Sequence, residues 1–501
     1  MNNFKSISIL IIIALILSIF ACSLFTAPSR DNPNDPEYDG DLTLPGLVEG
    51  LRLSPGADSL TVNWDKTIDG IDKCIIYWDT AAELTDTAES AEVDAATETN
   101  YIISGLHYGT AYNVWMRLVD EQDGTEIYSQ ETVTVSAVVE PGGIVDTSFS
   151  EDGLAVATEP ESTLTDVISA GNGEFYAGGD KYFTPGPPQL YTHIIKKMNS
   201  SGSLVTTFAT SGTFNGSDIA MPIPYLSFVL KDSELVAFLV NFGTDVSYYN
   251  NFSVSTFNNS TGGFTLKKAM TSSDGDVFIC GDITSQLAIR NLSGNLSGTD
   301  YSIMLNTATE FPGMANSYAT SMVISNNHLY SAGYVNNGAA PNYVYLGSYN
   351  PANLALEFHF NVEAATWQDH GTDILVTAAP EGGAVYIAAY NLLGKFDVTS
   401  KNKVDGFGTS GLANGIDSLF VASDIMVQPN GKILLAGTSD NTNGILYRFN
   451  ADGILDAGFA NNGAFIRDNY IFNAVDVLTN GRIVIGGRET AYNKGAVWML
   501  K

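Results

Sequence analysis

The sequence has few basic residues, few cysteines and few histidines, and each shortage excludes a class of function. Only 23 lysines and arginines stand against 55 aspartates and glutamates, which gives a formal net charge of −32. Such a charge opposes electrostatic binding to nucleic acid or to anionic membrane surfaces. The five histidines show no metal-ligand spacing. The sequence therefore predicts no nucleic-acid partner, no metal site and no cofactor, and it gives no sign of an oligomer.

The three cysteines lie in three different regions and suggest no disulfide framework. Cys74 and Cys280 lie in apolar, strand-like segments, so we expect both to be buried free thiols. The sequence also lacks a nucleophile elbow, a zinc-binding helix motif, a phosphate-cradling loop and a nucleotide fingerprint. These absences favour a protein that is not an enzyme.

Residues 1–21 are typical of an export signal. Lys5 is the only charge, and the apolar run at 7–20 is too short to span a bilayer comfortably. The end of this run, Ile19-Phe20-Ala21-Cys22, resembles a bacterial lipobox. That resemblance implies that Cys22 is lipidated and anchors the protein to the outer membrane of the cell envelope, on its periplasmic or its outer side. The alternative is an ordinary secretory signal with an incidental cysteine.

Residues 22–43 combine proline, asparagine and acidic residues without an apolar repeat. Such a segment cannot bury a core, and we expect an extended, solvated tether.

Residues 44–138 predict a β-sandwich, because short segments of apolar alternation recur at 60–64, 74–78, 101–103, 112–119 and 132–136. The stretch Leu106-His-Tyr-Gly109-Thr-Ala-Tyr112 resembles the fibronectin type III pattern. The resemblance implies that Tyr112 bonds back to the backbone at a strand corner and that Trp64 lies in the core. Seven acids at 79–98 could form a calcium site, but their spacing favours a solvated connection.

Residues 144–501 carry a repeated hairpin signal. The clearest copy, at 425–437, has two apolar strands around an Asn430-Gly431 turn. Six further copies lie at 167–179, 228–239, 269–281, 322–333, 375–389 and 475–487. Their closing positions are 42 to 60 residues apart. A period near fifty with several short strands per repeat predicts a β-propeller of about seven blades, so the chain as a whole is expected to be all-β.

A second motif repeats in phase with the hairpins: a phenylalanine followed four residues later by a glycine. It occurs at Phe149, Phe208, Phe407 and Phe459. With the Tyr447-Arg-Phe-Asn-Ala-Asp-Gly stretch that precedes Phe459, it resembles the delta-60 repeat of bacterial propeller-like proteins. That resemblance implies a repeat architecture and no particular reaction.

Ring closure is predicted from the two ends of the array. The last repeat has strands at 474–478, 482–486 and 496–500 but no fourth strand. The segment 144–149 is a fourth strand with no repeat before it. We expect it to pair with 496–500, because that pairing leaves no bare sheet edge.

The candidate site is the mouth of the central channel, where the first strand of each blade begins. Asp166, Lys268, Thr320 and Asp424 occupy equivalent positions there, and Asp373 lies nearby. They are candidate binding residues, because a wet channel can serve buried polar groups. Solvent-exposed strand ends would carry the same residues, and that explanation stays open. Turn sequences at 273–276 and 450–453 could bind calcium, but Asp-Gly turns alone explain them.

The leading functional hypothesis is a non-catalytic, envelope-anchored binding or scaffolding protein whose propeller face meets a protein or a glycan. The alternative is a carbohydrate-active lyase or hydrolase that uses carboxylates at the channel mouth. The acids are scattered rather than paired in the sequence, which favours binding.

Overall fold

The computed structural model describes residues 50–501 except for 57–58, 66–70, 72, 95–96, 108–109, 123–124, 130–131, 133, 140–141, 151, 157–161, 183–190, 220–225, 232–233, 242–244, 251–252, 258–263, 293–300, 305–306, 339–340, 363–366 and 368–372. The signal peptide, Cys22 and the tether lie outside the described residues. Within them, almost all regular structure is β-strand, and one short helix, α1, spans Thr307–Glu310.

The residues before 140 form two antiparallel sheets. Their strands are β1 (Arg52–Pro55), β2 (Ser59–Asn63), β3 (Lys73–Asp79), β4 (Glu89–Val93), β5 (Asn100–Ser104), β6 (Ala111–Gln122), β7 (Thr125–Tyr128) and β8 (Val135–Val138). One sheet has the order β1-β2-β5; the other has the order β4-β3-β6-β7, and β8 also pairs with β6. Four of the five predicted strands are present, and the fifth begins only at Val135.

Two residues singled out by the fibronectin type III resemblance behave as it implies. The Tyr112 hydroxyl accepts a hydrogen bond from the backbone N–H of His107 at 3.3 Å, and Trp64 is buried. The acidic segment is only partly the expected connection, because β4 lies within it and pairs with β3. Lys73 binds Glu92 on β4 at 3.1 Å, so a cross-strand ion pair supports this strand.

Seven four-stranded antiparallel sheets follow, and all seven lie in one compact unit. Sheets one to three are β10 (Ser162–Gly171), β11 (Glu174–Tyr182), β12 (Tyr191–Met198), β13 (Thr213–Ile219); β14 (Leu226–Lys231), β15 (Glu234–Asn241), β16 (Asp245–Asn250), β17 (Ser253–Phe257); and β18 (Phe264–Thr271), β19 (Val277–Ile283), β20 (Gln286–Asn291), β21 (Tyr301–Met304). Each sheet runs in chain order.

Sheets four to six continue this arrangement, and the seventh takes its fourth strand from the beginning of the array. They are β22 (Asn316–Ser325), β23 (His328–Asn336), β24 (Tyr343–Tyr349), β25 (Leu356–Asn361); β26 (Leu375–Ala378), β27 (Ala384–Ala389), β28 (Leu392–Asp397), β29 (Asn402–Lys403); β30 (Phe420–Val427), β31 (Ile433–Ser439), β32 (Asn443–Phe449), β33 (Ala464–Asp468); and β34 (Tyr470–Val477), β35 (Ile483–Glu489), β36 (Lys494–Leu500) with β9 (Leu154–Val156). The seven predicted hairpins are confirmed, because each forms the first two strands of a sheet.

The first strands of the seven sheets contact one another in a closed circle. Each meets the first strand of the next sheet, and β34 returns to β10. Seven apolar clusters fill the interfaces between neighbouring sheets. The one between the seventh and first sheets joins Ala474 and Val484 to Val167 and Ala177. The core is therefore divided among the interfaces, and no single sheet buries its faces alone.

The circle closes through an N-terminal segment that pairs with β36, and the prediction for 144–149 is confirmed in part. Val145 bridges Leu500, and the Asp146 N–H donates to the Met499 carbonyl at 2.9 Å, before the chain turns. The longer pairing lies downstream, in β9, where Val156 pairs with Ala496 and Leu154 pairs with Trp498. In the turn before β9 the Phe149 N–H donates to the Asp146 carbonyl at 2.9 Å, and Gly153 ends the turn at a φ of 80°. The phenylalanine motif thus encodes a turn that leads into the fourth strand.

Candidate functional site

A β-bulge lies near the beginning of five of the seven first strands, in β10, β18, β22, β30 and β34. In each of these sheets the second strand carries the closing glycine: Gly179, Gly281, Gly333, Gly437 and Gly487. A Cβ at any of them would overlap a backbone carbonyl oxygen of the bulged strand, such as that of Thr163 at Gly179. The two sheets without such a bulge close on Leu239 and Ala389 instead. The glycines are therefore required by the bulges.

In each sheet, one residue of the first strand pairs with the residue that directly precedes the closing residue of the second strand. We call the place of this first-strand residue the clasp position. In chain order the clasp positions are Asp166, Ser227, Lys268, Ser321, Leu375, Asp424 and Ala474. Thr320 was assigned to this set from the sequence, but it occupies the bulge itself, and Ser321 takes the clasp position. The hairpin of this sheet has a two-residue turn between Ser325 and His328, shorter than the five-residue turns of the third and sixth sheets, so counting back from the turn gives the neighbouring residue.

Side chains from or near the clasp positions hold neighbouring sheets together. At five of the seven interfaces, such a side chain accepts a backbone N–H from the first strand of the next sheet. The bonds run from Phe228 N to Asp166 Oδ2 at 2.7 Å, Ala269 N to Ser227 Oγ at 3.0 Å, Val376 N to Ser321 Oγ at 3.2 Å, Val475 N to Asp424 Oδ2 at 3.0 Å, and Ser169 N to Asp476 Oδ2 at 2.6 Å. At the seventh interface Asp476 takes the place of the clasp residue Ala474, and at the other two interfaces the clasp residues are Lys268 and Leu375, neither of which offers an acceptor.

The structure brings all five sequence-predicted residues into one cavity of about 540 Å³ inside the circle of first strands, which we call the funnel. It is lined by Asp166, Lys268, Thr320, Asp373 and Asp424 together with residues from every other first strand. The Thr320 hydroxyl is already engaged, because it accepts from the Ile374 N–H at 3.1 Å and donates to the Ile374 carbonyl at 2.6 Å. Thr320 therefore forms part of the funnel wall, but its hydroxyl is already hydrogen-bonded within the protein.

Two ion pairs cross the circle within the funnel. Lys267 Nζ lies 3.6 Å from Asp373 Oδ1, and Lys268 Nζ lies 3.8 Å from Asp424 Oδ1. Both lysines belong to the third sheet, whereas Asp373 precedes the fifth and Asp424 lies in the sixth. The attraction of Asp424 is the largest influence on Lys268 and raises the pKa of its ammonium group. Lys268 is therefore the positive partner that this group of acids needs.

Burial raises the pKa of two aspartates that lie near Lys268. Loss of solvent raises the pKa of Asp166 to about 7, against the opposing effects of the Lys268 charge and the Phe228 N–H. Loss of solvent likewise raises the pKa of Asp476 to about 6, against the N–H groups of Ser169 and Val477. Both carboxyl groups therefore keep their proton to a higher pH than a solvated aspartate does.

Below the funnel lies a second cavity of about 360 Å³. Asp166, Lys268 and Asp424 line both cavities, whereas Asp476 and Met426 line only the lower one. The Lys268–Asp424 pair thus stands at the boundary between them.

Several funnel residues were not predicted from the sequence. Lys267 is a bulge residue, Asp180 and Arg488 directly follow a closing glycine, and Asp476 lies two positions beyond a clasp residue, below the funnel. The closing glycines, visible in the sequence, could have indicated the bulges and through them Lys267. Asp180 lies 2.7 Å from the buried His193, and no sequence spacing signals that pair.

The other candidate sites remain without support among the described residues. No group of three or more potential metal ligands occurs there, including the turns at 273–276 and 450–453. Cys74 and Cys280 are buried free thiols, as expected. No helix within the described part of the chain is long and apolar enough to cross a membrane.

Comparison with known proteins gives one family match. Residues 428–459 match the family described as "Domain of unknown function (DUF5122) beta-propeller", and they overlap the segment that resembles the delta-60 repeat. No curated protein matches the chain. Among solved structures, a catalytically inactive virginiamycin B lyase from Staphylococcus aureus with quinupristin covers 70% of this chain and 99% of its own, at 8% identity and a TM-score of 0.46. A structure described as "Myokine structure" covers 19% of this chain and 97% of its own, at 16% identity and a TM-score of 0.16.

The family match and the closed circle of antiparallel sheets together indicate a β-propeller, the class of fold that the repeat period predicted.

Proposed function

We propose that this chain is a lipid-anchored cell-envelope protein in which a fibronectin type III-like domain precedes a seven-bladed propeller, and that the propeller is a non-catalytic binding module. The observation that carries the proposal is the funnel, in which polar residues from separate sheets meet in one cavity of about 540 Å³. A cavity of that size with a few convergent polar groups is the usual form of a small-ligand site.

The hydrogen bonds of the acids support binding rather than catalysis. Asp424 accepts the N–H groups of Ile425 and Val475 and faces Lys268, so both of its oxygens are occupied. One oxygen of Asp166 is occupied in the same way by Phe228 N–H. A pair of catalytic carboxylates has to be able to reach the reacting bond, and Asp424 has no oxygen left for that role.

One observation favours the alternative of a glycan lyase or hydrolase. The pKa of Asp166 is raised to about 7 by burial, and a carboxyl group that titrates near neutral pH suits a general acid or base.

A combined glycan-binding and turnover screen on the full mature protein separates the two functions. The exposed Asp373 is the residue to change, because the Asp373→Asn variant removes only the charge that faces Lys267 and leaves the hydrogen bonds between neighbouring sheets in place. Asp274→Asn, at an exposed turn that does not line the funnel, is the control. Binding that weakens only in Asp373→Asn, without product, supports the binding module. Product formation that disappears in Asp166→Asn supports the enzyme.

The lipid anchor has its own test. Mass spectrometry of the native protein is expected to find an acylated Cys22 as the first residue, and an unmodified N-terminus at another position would contradict the anchor.

A further inference from the structure

The funnel contains polar atoms that the fold leaves unused. Asp166 lines the funnel and is only 9% exposed, and its Oδ2 accepts the Phe228 N–H of the next sheet at 2.7 Å. The Thr165 hydroxyl is buried and has no hydrogen-bonding partner among the described residues. Asp373 meets Lys267 only at 3.6 Å, beyond hydrogen-bonding distance, and its side chain is 61% exposed. Buried polar atoms without partners need water or a ligand.

The funnel has one more acid than it has basic residues. Asp166, Asp180, Asp373 and Asp424 line it, against Lys267, Lys268 and Arg488. Asp476 lies directly below and influences both Asp166 and Lys268. A carboxylate excess in a partly enclosed cavity attracts cations and repels anions, because the low-dielectric walls concentrate the field.

Exposed aromatic side chains stand beside the mouth of this cavity. Tyr390 lies in the turn between β27 and β28, and its carbonyl accepts the N–H of Ala422, which lines the funnel. Tyr492 lies in the turn between β35 and β36, and it is 67% exposed. Its neighbour Asn493 accepts a hydrogen bond from Arg488 of the funnel at 2.7 Å. Tyrosine rings stack on apolar faces and on cations.

We propose that the funnel binds an oligosaccharide that carries free amino groups. The hydroxyls and one amine of the sugar in the cavity would contact Asp166, Thr165 and Asp373. A further sugar would stack against Tyr492 or Tyr390. The proposal rests on the proposed function, since it names the ligand of the same site. Carboxylates bind the ammonium group through charge-assisted hydrogen bonds, and the sugar hydroxyls supply donors and acceptors to the unused polar atoms. A neutral glycan would satisfy the hydroxyl but would offer no ammonium group to the surplus acid of the funnel.

The test uses calorimetry on the full mature protein with a glucosamine tetramer and its N-acetylated form. The N-acetylated form keeps the polyhydroxyl shape and lacks the charge. We expect the free amine to bind at least about tenfold more tightly, which corresponds to about 1.4 kcal/mol. Asp373→Asn is expected to weaken binding of the glucosamine tetramer by about tenfold and Tyr492→Ala by about two- to fivefold, in line with exposed cation–π contacts. Asp274→Asn and Tyr128→Ala, neither of which lines the funnel, are expected to bind as the wild type does.

The outcomes separate the ligand class from the site. Equal binding of both tetramers with loss in Asp373→Asn overturns the amino-group assignment and leaves the funnel as a glycan site. Binding of oligolysine in place of either tetramer, again lost in Asp373→Asn, assigns the site to a basic peptide and overturns the sugar. If neither Asp373→Asn nor Tyr492→Ala changes the binding of any ligand found in the screen, the funnel is not the site and the proposed function fails with it.

Discussion

At the scale of single residues, the aspartates of the channel have a structural role that precedes any role in binding. Asp166, Asp424 and Asp476 each accept a backbone N–H from a neighbouring sheet. The sequence placed Asp166 and Asp424 at one location, and the structure agrees, whereas it did not indicate Asp476. Spacing could not indicate their hydrogen bonds, because these depend on bulges and on the order of the sheets.

The raised pKa of Asp166 gives a prediction about stability and pH. An unfolded aspartate has a pKa of about 3.9, whereas burial raises that of Asp166 to about 7. The folded state then holds the proton of Asp166 more tightly, so the contribution of this residue to stability is greatest below pH 4 and falls as the pH rises to 7. At about 1.4 kcal/mol per pKa unit, this residue alone lowers the free energy of unfolding by up to about 4 kcal/mol across that range.

Urea unfolding of the wild type and Asp166→Asn from pH 4 to pH 8 measures this effect. Asparagine keeps an acceptor for the Phe228 N–H, so we expect the variant to gain stability relative to the wild type as the pH rises. A constant difference between the two proteins across the range would contradict the prediction, and Asp274→Asn serves as the carboxylate control.

At the scale of elements, the sequence predicted the hairpins well because their signals are local. Alternating apolar residues and Asn-Gly turns need no distant contact, and Gly431 adopts a φ of 82° as such a turn requires. The closure pairing was predicted only in part, for the opposite reason. Val145, Phe149 and Leu154 are all apolar, and only pairing with the distant β36 decides which of them belongs to a strand.

The turn between the third and fourth strands of the sixth sheet contains a buried ion pair. Arg448 is 1% exposed, and its Nη2 lies 2.6 Å from Asp456 Oδ2, while Lys432 Nζ lies 2.9 Å from the same oxygen. The Arg448 guanidinium also lies over the Phe459 ring at 4.5 Å. The Asp456 carboxylate thus links the phenylalanine motif that contains it to Lys432, which lies in the turn between β30 and β31.

Asp456→Ala is expected to destabilise the protein by about 3–5 kcal/mol, because it leaves the Arg448 charge buried without its acid. The free energy of urea unfolding measures the change. Asp405→Ala is the matched control, since it alters an exposed acid in the corresponding motif of the fifth sheet. A loss below about 1 kcal/mol would show that the pair contributes little.

At the scale of the whole molecule, one pairing completes the circle of sheets. Ala155 of β9 lies opposite Val497 of β36, and the neighbouring Met499 N–H donates to Gly153 at 3.1 Å. Proline at position 155 removes a backbone donor from this ladder. We expect Ala155→Pro to expose strand edges and to aggregate on size-exclusion chromatography, whereas Ala155→Ser stays monodisperse. A soluble, fully stable Ala155→Pro variant would show that β9 is dispensable.

The pairing of β9 with β36 also sets an order of events during synthesis. β9 is made some 340 residues before its partner, so it emerges early and has to wait for the end of the chain. Contacts between residues so distant in sequence form slowly, and domains of the chain begin to fold as they emerge. The seventh sheet is therefore expected to assemble last. Until then, the sides of the first and sixth sheets that will contact it remain uncovered. A chaperone that recognises bare strand edges would find its target there.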